Sequence, residues 1–148
     1  MRKRVWAVVP CLLAATLFSF ARKEESIEQL IARADAARPD QQADLYMQVA
    51  DRELKAVLEA SKASQWDQFL TALQQTVKYS DSAHSAALHT DKHLKRTEIK
   101  IREISNRLRD LKLNVDLDEQ PAVQAAVDRL EGFRTELLHS MFGSKSND

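Results

Sequence analysis

Apolar residues recur every three or four positions along most of the chain, the spacing that turns one face of an α-helix toward a core. The first such stretch follows Ser26, with Ile27, Leu30, Ile31 and Ala34 on one face, and Ser26 with Gln29 forms a capping-box pair that predicts a helix start. Pro39 disfavours helical geometry at Arg38 and suits the first turn of a following helix. A second helix is therefore expected over residues 40–61, with Leu45, Val49, Leu54, Val57 and Leu58 inward. Lys62-Ala63-Ser64 reads as a polar connector, and Ser64 as the cap of a third helix carrying Trp66, Phe69, Leu70, Leu73 and Val77. Helices two and three then form an antiparallel hairpin.

Residues 80–90 turn small and polar without a Gly or Pro to force a break, so the pattern leaves open whether 65–115 is one helix or two. Beyond it, Leu94, Ile101, Leu108 and Val115 recur every seven residues, interleaved with Thr97, Ile104 and Leu111. That is the a/d repeat of a coiled coil with one polar defect. Asn114 to Gln120 is acidic and turn-like, Pro121 fits the first turn of a last helix bearing Val123, Val127, Leu130, Leu137 and Met141, and Gly143 closes it.

The first 21 residues follow another pattern. Arg2, Lys3 and Arg4 form a positive head, Val5 to Ala21 carry no charge, and Ser19-Phe20-Ala21 ends in the small residues a signal peptidase accepts. A secretory signal peptide cleaved after Ala21 is expected, and with it a periplasmic or secreted mature chain. The rival reading, a retained anchor, has only 17 apolar-segment residues with Pro10 among them, against the ~20 that span a bilayer. Membrane contact is expected through this segment alone, and only if it stays uncleaved. Cys11 reads as a passenger of the signal segment, because Pro10 stands where a lipoprotein signal carries a small residue.

Composition narrows the function classes. Two glycines in 148 residues are too few for a nucleotide-binding loop, and they argue against a sheet protein with frequent tight turns. Without the basic head, residues 22–148 hold 19 basic and 22 acidic residues, a net charge of −3, and no cysteine. Disulfides, thiol chemistry and Cys-ligated metal are excluded for that mature chain. Charge is also segregated: residues 92–112 carry eight bases against three acids, and 113–148 seven acids against three bases. Antiparallel pairing of these two segments would set opposite net charges side by side, which favours register more than stability.

Candidate chemistry is sparse. His89 and His93 stand four apart, with His84 and Asp81 upstream, so His84, His89 and His93 are the candidate metal ligands if one helical face carries them. No Glu-x-x-His or His-Glu-x-x-His pattern completes such a site. Ser82-Ala83-His84-Ser85 lacks the elbow that holds a nucleophile, and Asp116, Asp118 and Glu119 read as a cap-rich turn. Met47 or Met141 with His84 or His139 are the residue types that ligate haem, with nothing in the sequence to make them face one another. The basic segment lacks aromatic stacking residues and is interleaved with an apolar seam, so a solvated helix face is expected and no nucleic acid. No enzyme activity and no cofactor are expected.

Leu70-Thr71-Ala72-Leu73-Gln74 resembles the Leu-Thr-x-x-Gln pentapeptide of the small helical periplasmic chaperones of the Spy type, as do the size, export signal and helicity. The chain has one copy where that family looks to carry two, and its mature part is acidic where such a cradle is basic. Residues 45–79 are similar in length, and in the placement of Tyr46, Leu54 and Trp66, to a tetratricopeptide-type hairpin, without its small packing residues. No functional residue transfers from either.

The expectation is an all-α domain over residues 22–142, with four to five amphipathic helices packed as antiparallel hairpins in a helical bundle, after a signal peptide (1–21) and before a flexible tail (143–148). Its expected role is a non-catalytic interaction or scaffold protein that binds a protein partner or forms a homo-oligomer. The expected interface is a seam of Leu94, Ile101, Ile104, Leu108 and Leu111 within residues 94–115. The alternative is a periplasmic stress-type chaperone or metal-responsive binding protein.

Overall fold

A computed structural model describes residues 24–143, and all regular structure in that span is helical: α1 (Ile27–Ala36), α2 (Pro39–Lys62), α3 (Trp66–Thr90), α4 (Leu94–Lys112) and α5 (Gln120–Phe142). The expected signal segment and residues 144–148 lie outside the described residues.

The helix starts follow their sequence signals unevenly. The Ser26 hydroxyl accepts from the Gln29 backbone N–H at 3.2 Å, and the Gln29 side chain accepts from the Ser26 N–H at 3.1 Å, which is the expected capping box. Pro39 occupies the first turn of α2, one residue earlier than expected. Ser64 does not cap α3. It is the left-handed residue that ends α2, at φ 53°, with Gln65 N–H donating to Ala60 O at 2.9 Å and Ser64 N–H to Ser61 O at 3.2 Å. This is a Schellman closure with Ser in the position that glycine usually takes.

Residues 80–90 are continuous helix without a break. The hydroxyls of Thr76, Ser80 and Thr90 each donate back to the carbonyl four residues earlier, so these polar side chains consume their own hydrogen bonds inside the helix. Ala83 and Ala87 are fully buried, and the small residues of this stretch permit close packing. The chain breaks instead at Asp91-Lys92-His93, where Asp91 (φ 54°) and His93 (φ 62°) are both left-handed.

Paired side chains fix the topology. Tyr46 of α2 stacks on Tyr79 of α3, Arg134 of α5 meets Glu98 of α4, and each pair of helices is antiparallel. Across the hairpins, α2 lies parallel to α4 (Asp44 with Arg96, 2.9 Å) and α3 parallel to α5 (His84 with Glu136). Among the described helices α2 does not touch α5, so these four stand at the corners of a square and the short α3–α4 connection crosses its diagonal. Helix α1 packs on α2 alone, held by the Tyr46 hydroxyl donating to Asp35 at 2.8 Å and by Arg52 donating to the Glu25 carbonyl.

The core follows the apolar stripes, with adjustments. Val49, Leu54 and Val57 are buried as expected, whereas Leu45 and Leu58 are half-buried and Met47, Ala43 and Ala50 take their places. In α5, Phe133 joins Val123, Val127, Leu130 and Leu137 in the interior, and Met141 is half-buried.

Candidate functional site

The expected seam is spent inside the molecule. Leu94, Ile101, Ile104, Leu108 and Leu111 are at most 9% exposed and belong to the one core formed with α2, α3 and α5. The a/d repeat is therefore satisfied by the chain's own helices, and those five side chains do not form an open surface. Thr97, the polar defect in the repeat, is buried with no hydrogen-bond partner for its hydroxyl.

The three candidate histidines are not brought together. His84 is turned inward from α3, 5% exposed, and its ring stacks on Phe133 of α5 at 4.9 Å between centroids. His89 is exposed in the last turn of α3. His93 is the last residue of the break and faces α2, with Nδ1 3.8 Å from Asp44. The left-handed connection removes the shared helical face that the i,i+4 spacing implies. Around His84, Asp81 lies 3.6 Å from Nδ1 and Glu136 lies 3.0 Å from Nε2, so the two carboxylates sit at opposite edges of the ring and cannot share an ion with it. Among the described residues no three His, Cys, Asp or Glu side chains are grouped to hold a metal. Both ring nitrogens are buried without a hydrogen bond, because the Glu136 oxygen is off the direction in which Nε2 could donate.

A polar network crosses the α4–α5 interface. Arg134 donates from Nε to one oxygen of Glu98 at 2.9 Å and pairs with the same oxygen through a terminal nitrogen 2.8 Å away, while its other terminal nitrogen donates to Glu131 at 2.7 Å. Glu131 also accepts from Ser105 at 2.6 Å and pairs with Arg109 at 2.9 Å. Burial pushes the Glu131 carboxyl up, but the Ser105 hydroxyl and the guanidiniums of Arg134 and Arg109 outweigh it and hold the group below its ordinary range. Burial opposes the charge on Arg134, and Glu98 and Glu131 more than restore it. Every charge here is answered by another protein group, which is the arrangement of a structural clasp.

Exposed apolar surface lies at Leu138 and Phe142 near the end of α5 and at two further features that share the opposite end of the bundle. The first, one of several open surface grooves and not the largest, is a mainly apolar groove of about 430 Å³ between the first halves of α3 and α5. Leu70, Leu73 and Val77 form one wall, Ala122, Ala125 and Ala126 the other, and Gln74 and Arg129 the polar rim. The alanines make it: their short side chains leave Leu70 and Val77 half-exposed, while Leu73 forms the buried floor. The second is the α4–α5 connection, where Leu113 and Leu117 are 82% and 80% exposed. Single exposed leucines are ordinary, but two of this exposure four positions apart in one short turn form an apolar knob. Asp116, Asp118 and Glu119 surround it without an ion-pair partner among the described residues. Both features lie at the end of the bundle where α4 stops and α5 starts.

Sequence reasoning about candidate sites passed over Arg129, Ala125, Leu113 and Leu117. The signal for the leucines was present: in the heptad register of Leu94 to Val115, Leu113 falls on an outward position, and Leu117 follows beyond the end of the helix. No family model matches the chain, and no curated protein or solved structure is found similar to it.

Proposed function

We propose that this chain is an exported, non-catalytic helical interaction protein whose contact surface is the α3–α5 groove. The observation that carries the reading is the groove itself: Leu70 and Val77 stay half-exposed over the buried Leu73, because the facing helix offers only alanines there. A groove open along its length and walled by aliphatic side chains suits an apolar strip of polypeptide, the mode in which a helix or loop lays its anchors into a cleft. Export rests on the Arg2-Lys3-Arg4 head, the uncharged Val5 to Ala21 stretch and the Ser19-Phe20-Ala21 exit.

A photo-crosslinking amino acid at Ala125 of the full chain, expressed with its own N-terminal segment, tests this. A discrete adduct with a polypeptide is expected at Ala125 and none at Gln48, an exposed control on α2. An absence of adducts at Ala125 would contradict the reading.

A client-binding role is the second reading, favoured by one observation: of the Leu-Thr-x-x-Gln positions, Leu70 and Gln74 both line the groove. If the groove holds unfolded segments, the protein slows aggregation of a reduced client and Leu70→Glu abolishes the effect. An unchanged aggregation rate with the wild-type protein rejects that role. Metal response through His84, His89 and His93 has no convergent geometry behind it.

A further inference from the structure

We propose that the occupant of the α3–α5 groove is the Leu113–Leu117 turn of a second copy of this chain. The inference rests on the reading of the groove as a protein-contact surface and names its partner.

The chemistry of the two features is complementary. The groove needs aliphatic anchors, and the turn presents two leucines, each about four-fifths exposed. The groove is rimmed by Arg129, whose side chain is well exposed, lies 5.3 Å over the Phe133 ring and has Asp81 as its described carboxylate contact at 3.7 Å. The turn flanks its leucines with Asp116, Asp118 and Glu119, and residues 113–119 carry no base. An arginine at the rim of an apolar cleft and carboxylates around an apolar knob steer the pair into one register and reject cationic competitors. The same carboxylates would repel an anionic membrane surface, which removes the lipid alternative for the exposed leucines.

Position favours exchange between copies. The knob immediately precedes α5, and the groove runs along the first half of α5 and of α3, so both sit toward one end of the bundle. A two-fold axis that sets these ends side by side lets each copy insert its turn into the other's groove. That closes the assembly at two chains, because both knobs and both grooves are then occupied.

The test uses full-length copies with two different tags, all carrying Cys11→Ser, co-expressed and treated with an oxidant. Leu117→Cys in one copy and Ala125→Cys in the other are expected to give a disulfide-linked pair carrying both tags. Arg129→Glu in the Ala125→Cys copy should abolish the link, and Asp116→Lys with Asp118→Lys in the Leu117→Cys copy should restore it. Arg129 is exposed but contacts Asp81 and the Phe133 ring, so the circular dichroism melt of the same variant checks that its reversal keeps the fold, and Arg129→Gln, expected to weaken the link, is the milder second variant. No link between Leu117→Cys and Ala125→Cys overturns the proposal, as does equal linking when Gln48→Cys replaces either partner. If Ala125 photo-crosslinks to some other polypeptide while the cysteine pair stays unlinked, the interaction reading stands and the second-copy inference fails. If neither experiment gives a product, both fail.

Discussion

Arg134 brings two guanidinium nitrogens, Nε at 2.9 Å and a terminal one at 2.8 Å, to the same carboxylate oxygen of Glu98, and this pair runs against the net charge of its helices. The acid sits on the base-rich α4 and the base in the acid-rich segment 113–148. Segregated charge thus forecasts the antiparallel pairing of the two helices, while the most buried ion pair between them is the exception to the pattern. Glu98 is 5% exposed, and without Arg134 its carboxylate keeps only the half-exposed Arg102, 4.0 Å away, and little water.

Arg134→Met is therefore expected to lower the unfolding free energy by about 3–5 kcal/mol, the usual cost of stranding one partner of a buried pair. Glu98→Met combined with Arg134→Met should regain most of that loss, since the desolvation penalty leaves with the charge. Urea denaturation of the three variants measures it. A double variant no more stable than Arg134→Met would contradict the assignment.

Stability should fall in acid through Glu131. Its carboxyl lies below its ordinary range in the folded chain, so its contribution is complete above the unfolded value of about 4.5 and drains away as pH drops through the lower folded value. The urea midpoint gap between the native protein and Glu131→Gln should be open at pH 7 and closed in strong acid. A gap constant across that range would remove Glu131 from the account.

At the alkaline end the group to watch is Tyr46. Burial first, then its hydrogen bond to Asp35, push its hydroxyl up to about 12. A raised value contributes stability in full below the unfolded value of about 10, and the contribution disappears as pH rises toward 12. Tyr46→Phe should abolish this part of the alkaline loss, read as a flatter melting temperature between pH 9 and 11, and a profile unchanged by the substitution would count against it.

Ser64→Gly should stabilise the protein by about 0.5–1 kcal/mol, because Ser64 carries a Cβ in the left-handed position that closes α2. Thermal unfolding of the variant decides the matter, and a lower melting temperature would mean that the backbone there is not held left-handed in solution.

Much of the bundle was readable from periodicity. The capping box at Ser26, Pro39 at a helix start and the heptads of α4 each combine a local signal with a burial pattern that agree, and those elements appear where expected. The errors arose where two local rules compete for one residue. Ser64 can cap a following helix or close a preceding one, and the hydrogen bonds from Ser64 and Gln65 back into α2 decide for the second. Likewise the spacing of His89 and His93 implies a common face only if the helix continues, and the left-handed Asp91 and His93, with no glycine to announce them, end it. The a/d repeat reported burial correctly but could not say whose helices would bury it. That depends on the diagonal packing of α4 against the rest, a property of the whole chain. The groove was illegible for the same reason, since it exists only where the alanines of α5 come to face the leucines of α3.

The central claim, that the groove and the leucine turn make this chain self-associate, is tested most directly by multi-angle light scattering of the purified protein across a concentration series. The account predicts a mass of two chains, unchanged by added zinc, falling to one chain when Leu113 and Leu117 are both replaced by Asp. A mass of one chain at every concentration, or a two-chain mass that survives the double substitution, would contradict it.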